Sequence, residues 1–119
     1  MTVIPSQFDT LAKLVDSSQL RHRVISQNVA NVNTPGYRTQ EVSFEEMLAA
    51  RLRADQSADV SDLKPSVQLV EGLPERADGN NVDIDKQMGQ LDKNALLYQA
   101  YVQILASKLA TMQSAITGQ

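Results

Sequence analysis

Few side chains in this sequence could carry a reaction, and their spacing argues against one. The single histidine, His22, has no cysteine anywhere in the chain to work with, and it lacks the companions that a metal site or a general base needs. A hydrogen-bonded seam histidine is the expectation, with Ser18 four residues earlier helping to set register against a partner helix. Asp83 and Asp85 are spaced like paired carboxylates, but they stand where a helix begins, and there their charge favours the helix dipole. Tyr98 and Tyr101 lack the basic neighbours of a base-stacking platform and read as seam and interface fillers. There is no Gly-rich phosphate loop, no nucleophile beside a base and no ligand cluster. Neither catalysis nor a cofactor nor a metal ion is expected.

What the chain does concentrate is hydrogen-bonding capacity. The stretch "SQNVANVNTPGYR", residues 26–38, holds Asn28, Asn31 and Asn33. Pro35 and Gly36 fit the two central positions of a type II turn over Thr34 to Tyr37, because Pro presets a negative φ and Gly accepts a positive one. Pro35 also pushes Thr34 out of helical space, so a helix must stop here. Asn31 and Asn33 tolerate left-handed backbone and can bond the freed carbonyls and amides. On physics alone this is a well-made helix stop. The sharper reading is a loop locked by polar side chains at a crowded interface between subunits.

Two heptad stripes position these residues. Ile4, Phe8, Leu11, Val15, Ser18, His22, Ile25, Val29 and Val32 recur at alternating steps of four and three, which predicts a helix from about residue 7 to about 32 with Ser6 as its cap. Ile84, Met88, Leu91, Ala95, Tyr98, Val102, Leu105, Leu109, Met112 and Ile116 keep the same steps without a polar break. Gly79, Asn80 and Asn81 precede that second stripe, and Gly118 follows it as a stop. Leu97, Tyr101 and Ile104 form a further row about a third of a turn away. One partner helix cannot cover both rows, so the second needs another subunit or the middle segment.

Between the stripes, "SFEEMLAARL" suits a short helix in which Ser43 caps and Glu46 completes a capping box. The rest is polar and broken by Pro65 and Pro74, with "SVQLV" long enough for one edge strand. The expected fold is mainly α: long terminal helices pairing as an antiparallel coiled coil around an irregular middle with at most a short helix and a short strand. The organisation expected is one structural domain: residues 1–50 as N-terminal helix and turn motif, 51–80 as middle insert, and 81–119 as C-terminal heptad helix. The 119 residues carry a net charge of −3 and scattered basic residues, so nucleic acid is not expected as a partner. The start, "MTVIPSQFDTLAKL", has no signal-peptide pattern. The most apolar stretch, "ALLYQAYVQILA", is too short to span a bilayer, so no membrane insertion is expected.

The pattern carried by Ser26, Asn28, Val29, Ala30, Asn31, Asn33, Thr34, Pro35, Gly36, Tyr37 and Arg38 resembles the N-terminal signature of the bacterial flagellar axial proteins, the rod and hook group. "GNNVDIDKQMGQLDKNALLYQAYVQIL" is similar to the corresponding block of that group's proximal rod members, through Gly79, Asn80, Asn81, Val82, Asp83, Asp85, Met88, Leu91, Tyr98 and Gln99. The resemblance implies a structural subunit of the flagellar basal body, sited in the periplasmic rod and exported by the flagellar type III apparatus without a cleaved signal. It implies partners too: copies of the same chain, other rod proteins and the inner-membrane ring adaptor. The motif residues from Ser26 to Arg38 and from Asn80 to Asp85, with Leu97, Tyr98, Tyr101, Val102, Ile104 and Leu105, are then candidates for subunit contact. Phe8, and Phe44 with Leu48, are positions an export gate could read.

The alternatives are another proximal rod subunit of the same group, or a cytoplasmic coiled-coil adaptor or export chaperone. An adaptor would explain the stripes but not the two motif blocks. A single seam is marginal for holding two helices once their ordering is counted. The terminal helices are therefore expected to be poorly ordered in the free monomer and to become fixed on assembly. Circular dichroism of the dilute chain checks this; full, cooperatively melting helicity would contradict it.

Overall fold

The computed structural model describes residues 5–118, with side chains from Gln7 onward. The seam position Ile4 lies outside the described residues, and the first helix already includes Pro5, so Ser6 stands inside the helix and not at its cap. Five elements follow in order: α1 (Pro5–Ala30), β1 (Gln40–Ser43), α2 (Glu45–Ala54), β2 (Ser66–Leu69) and α3 (Ile84–Thr117). The long helices run antiparallel, since Asn28 of α1 meets Gln87 of α3 while Ser18 meets Asn94. The chain is rod-shaped, 64 × 29 × 16 Å.

The helix ends follow local chemistry. Asp83 caps α3, accepting from the amides of Asp85 and Lys86 at 3.1 and 3.2 Å, and Asp85 adds charge to the first turn. At the far end Gly118 takes the left-handed conformation, φ 74°, and its amide closes on Ser114. α2 departs from expectation: Phe44, not Ser43, holds its cap position and makes no side-chain cap bond. Ser43 instead ends β1, paired with Ser66.

Packing explains that departure. Phe44 is wholly buried with Leu48 and Val60, against Leu14, Met47, Leu52 and Leu63. Burying a phenyl ring contributes more than one capping bond, about 1.5–3 against ~1 kcal/mol, so the ring sets the corner between strand and helix. Phe44 and Leu48 are core residues, not exposed positions. The middle segment is also more ordered than its composition suggests. Lys13 donates to the Leu63 carbonyl at 2.9 Å, and β1 pairs antiparallel with β2 from Gln40–Leu69 to Ser43–Ser66. The "SVQLV" strand is present as Ser66–Leu69, whereas β1, three-quarters polar, carried no strand pattern.

The largest correction concerns the seam. On α3, Gln87 and Asn94 are buried, and Leu91, Tyr98, Tyr101, Leu105, Lys108 and Met112 are half-buried. Ile84, Met88, Ala95, Val102, Leu109 and Ile116 face outward. Four positions of the apolar seam, Met88, Ala95, Val102 and Leu109, are thus replaced by the row one residue earlier, Gln87, Asn94, Tyr101 and Lys108. At about 100° per residue this turns the helix by about 50° from its expected setting. On α1 the polar seam positions are Ser18, Arg21 and Asn28, and His22 is exposed. His22 is therefore not a seam residue. The further row is partly covered by the chain itself: Leu97 and Tyr101 are half-buried beside Ile25, Val42 and Glu45, while Ile104 is exposed.

A polar cluster joins all three helices. Arg21 forms a two-pronged bond with Glu45, one prong at 2.9 Å, and Tyr101 donates to the same carboxylate at 3.4 Å. Burial raises the Glu45 carboxyl, but the bonds and charge of Arg21, with a backbone bond and Tyr101, hold it below its ordinary value of 4.5. The folded state therefore releases this proton more readily than the unfolded chain. Its stabilisation is full above pH 4.5 and is lost as pH falls through the lowered folded value. Urea unfolding as a function of pH checks this: Glu45→Gln is expected to flatten the acid limb of the stability profile.

Candidate functional site

α1 ends at Ala30, leaving its last carbonyls to be satisfied by other groups. Asn31 begins the task, its side chain donating to the Gln27 carbonyl at 2.8 Å and accepting from the Thr34 hydroxyl at 3.0 Å. Gly36, at φ 73°, then closes a turn in which the Tyr37 amide reaches the Thr34 carbonyl at 3.2 Å. That is the turn expected from Pro35 and Gly36. The left-handed backbone expected at Asn31 and Asn33 is absent, because among the described residues positive φ occurs at glycines alone. The turn concentrates it at Gly36, and Asn31 works through its side chain.

Three buried asparagines tie this turn to the start of α3. Asn28 donates to the Gln40 carbonyl and to Gln87 Oε1, each at 2.8 Å. Its oxygen accepts from the Gln40 amide at 3.1 Å and from the Tyr37 hydroxyl at 3.3 Å, so its full bonding capacity is used. Burial pushes the Tyr37 hydroxyl up from its ordinary pKa, which keeps it protonated as a donor. Asn80 donates to the carbonyls of Asn31 and Thr34 at 2.8 Å each and accepts from the Val82 amide at 2.8 Å. Asn81 accepts from the amide and hydroxyl of Thr39 at 2.7 and 2.9 Å.

The two backbones also meet directly. The Gly36 amide donates to the Asp78 carbonyl at 2.9 Å, and a Cβ added to Gly79, itself at φ 82°, would sit 3.5 Å from the Gly36 Cα. The positive φ, more than crowding, makes glycine the suited residue there. Arg76 closes the back of the junction by donating to the carbonyls of Val82 and Val32.

The motif residues thus divide by burial. Asn28, Asn80, Asn81 and Val82 are buried, Asn31 and Tyr37 half-buried, and all belong to the internal junction. Ser26, Ala30, Asn33, Thr34, Pro35, Gly36 and Arg38 are exposed around it, with Arg38 paired to Glu75 at 2.7 Å. Asp83 and Asp85 serve the helix start. On α3, Tyr98 and Leu105 are half-buried in the seam, and Val102 and Ile104 face outward, 37% and 46% exposed. Gln87, Asn94, Arg21 and Thr39 were missed as site residues; a polar pair one heptad apart was the signal for the first two. His22 and Tyr98 border an open groove of about 670 Å³ between α1 and α3. Among the described residues there is no group of three or more potential metal ligands.

Asn80→Ala leaves two carbonyls and an amide without their side-chain partner, at about 1–3 kcal/mol for each group that stays unsatisfied. A loss of about 2–4 kcal/mol is expected in urea unfolding, whereas Asn33→Ala, at an exposed position, is expected to change stability by no more than about 0.5 kcal/mol.

The flagella basal body rod protein family matches residues 18–38, the end of α1 and the turn. The flagellar basal body rod protein FlgB of Bacillus subtilis (strain 168) is 30% identical over 127 aligned residues, covering 99% of this chain and 98% of that protein. FlgB of Borrelia hermsii is 30% identical over 89% of this chain and 92% of that protein, and FlgB of Salmonella typhimurium is 28% identical over 82% and 83%. The likeness runs through both motifs that the asparagines join, and on this end-to-end match the chain belongs to the family of flagellar basal body rod protein FlgB.

Proposed function

We propose that the chain is a structural subunit of the proximal rod, assembling side by side with copies of itself and other rod proteins through its long helices. The observation that carries this is the outward stripe of α3: Met88, Val102, Leu109 and Ile116 are 44%, 37%, 51% and 79% exposed. They keep heptad spacing along a helix of 34 residues, and such a stripe is suited to a neighbouring helix. The exposed residues around the asparagine junction add a rigid second contact. Many such side-on contacts would transmit torque, and the base of the rod would meet the inner-membrane ring adaptor. Travel through the type III export apparatus without a cleaved signal, to a periplasmic position, completes the reading. The role is structural, not catalytic, as family membership supports; no helix among the described residues is long and apolar enough to cross a membrane.

Mass spectrometry of detergent-extracted basal bodies tests the proposal directly. The chain is expected to remain after washes that strip loosely bound proteins, and Val102→Asp/Leu109→Asp is expected to lower its incorporation at least tenfold while the purified chain keeps its helicity. Recovery of the native chain only as a soluble dimer would overturn the proposal.

A further inference from the structure

α3 has two faces that could pack on α1. One is the unbroken apolar seam from Ile84 through Ile116; the other exchanges four of its positions for Gln87, Asn94, Tyr101 and Lys108. Burial of apolar surface alone favours the first, yet the chain uses the second. Gln87 and Asn94 are only 3% and 2% exposed. Gln87 accepts from Asn28; Asn94 donates to the Ser18 carbonyl at 2.8 Å and accepts from Arg21 at 3.3 Å. Turning α3 to bury Met88 and Ala95 would break all three bonds, and the loss of Gln87 would leave one of the two donors of the buried Asn28 amide unpaired. The two amides sit one heptad apart, so together they define one rotational setting of the helix.

We infer that Gln87 and Asn94 are positioning residues that select which face of α3 packs inside the chain and so keep the apolar stripe turned outward. Leu91, Tyr98, Leu105 and Met112, half-buried, border both faces; the outward row of Met88, Ala95, Val102 and Leu109 lies beside them, ready for a second helix. The consequence for assembly rests on the rod reading above; the rotational choice itself does not.

The chain contains no cysteine, so single cysteines report the setting cleanly. Met88→Cys, Leu91→Cys and Ala95→Cys are each placed in the full-length chain and labelled with a maleimide. The probes at positions 88 and 95 are expected to react at least threefold faster than the one at 91. Adding Gln87→Ala/Asn94→Ala, which removes the bonds of both amides while leaving that face less apolar than the one carrying Met88, is expected to preserve helicity by circular dichroism and to slow Ala95→Cys at least fivefold as that side turns inward. The same double variant without a probe is expected to enter basal bodies at least tenfold less well. Equal rates at all three positions in the original background would overturn the inference, as would rates at 88 and 95 unchanged by the double substitution. Loss of helicity with faster labelling everywhere would also overturn it, since the amides would then merely hold the hairpin together. A turned helix that still assembles normally would remove the link to assembly while leaving the rod reading intact.

Discussion

The structure depends on one constraint: the backbone groups freed where α1 stops must find partners, and three buried asparagine side chains supply them. Asn28, Asn80 and Asn81 meet it with side-chain amides, each of which can donate and accept at once. Because those amides come from the end of α1 and from the residues just before α3, satisfying the backbone also fixes where α3 begins. Asp83 then starts the helix, and its direction back along α1 follows. The hairpin is therefore anchored at its closed end by directional bonds before any apolar contact along its length is counted.

Along that length the packing is restrained. The only cluster of large buried apolar side chains described, around Phe44, lies between α1 and the middle segment. The α1–α3 contact is built on Ser18, Arg21, Asn28, Gln87 and Asn94, where polar groups are tolerated because each has a partner. Such a seam contributes less from burial than an aliphatic one, and it leaves the best apolar stripe of the molecule facing solvent. In a monomer this would be a liability. In a subunit that belongs to a rod family it is the surface we propose for the next helix.

Much of this was legible in the residues. The two helices, the turn at Pro35–Gly36, the helix start at Asp83 and the stop at Gly118 follow from local rules, because proline, glycine and capping carboxylates act on backbone within a few residues. The partnership of Asn28 with Gln87, or of Asn80 with Thr34, does not follow from them. An amide that caps its own helix and one that bridges two distant segments look alike in a sequence.

The sequence by itself determined that this is a chain of two long helices with an asparagine-rich turn after the first and family motifs in both halves. Periodicity and turn chemistry are local properties, and homology is carried by residue identity. Only the tertiary structure decided which stripe of α3 faces inward, that His22 lies outside the seam, and that Phe44 rather than Ser43 governs the start of α2. Those choices depend on three-dimensional partners. Heptad counting ranks stripes by how apolar they are, whereas the folded chain chose the stripe whose buried amides could all be bonded.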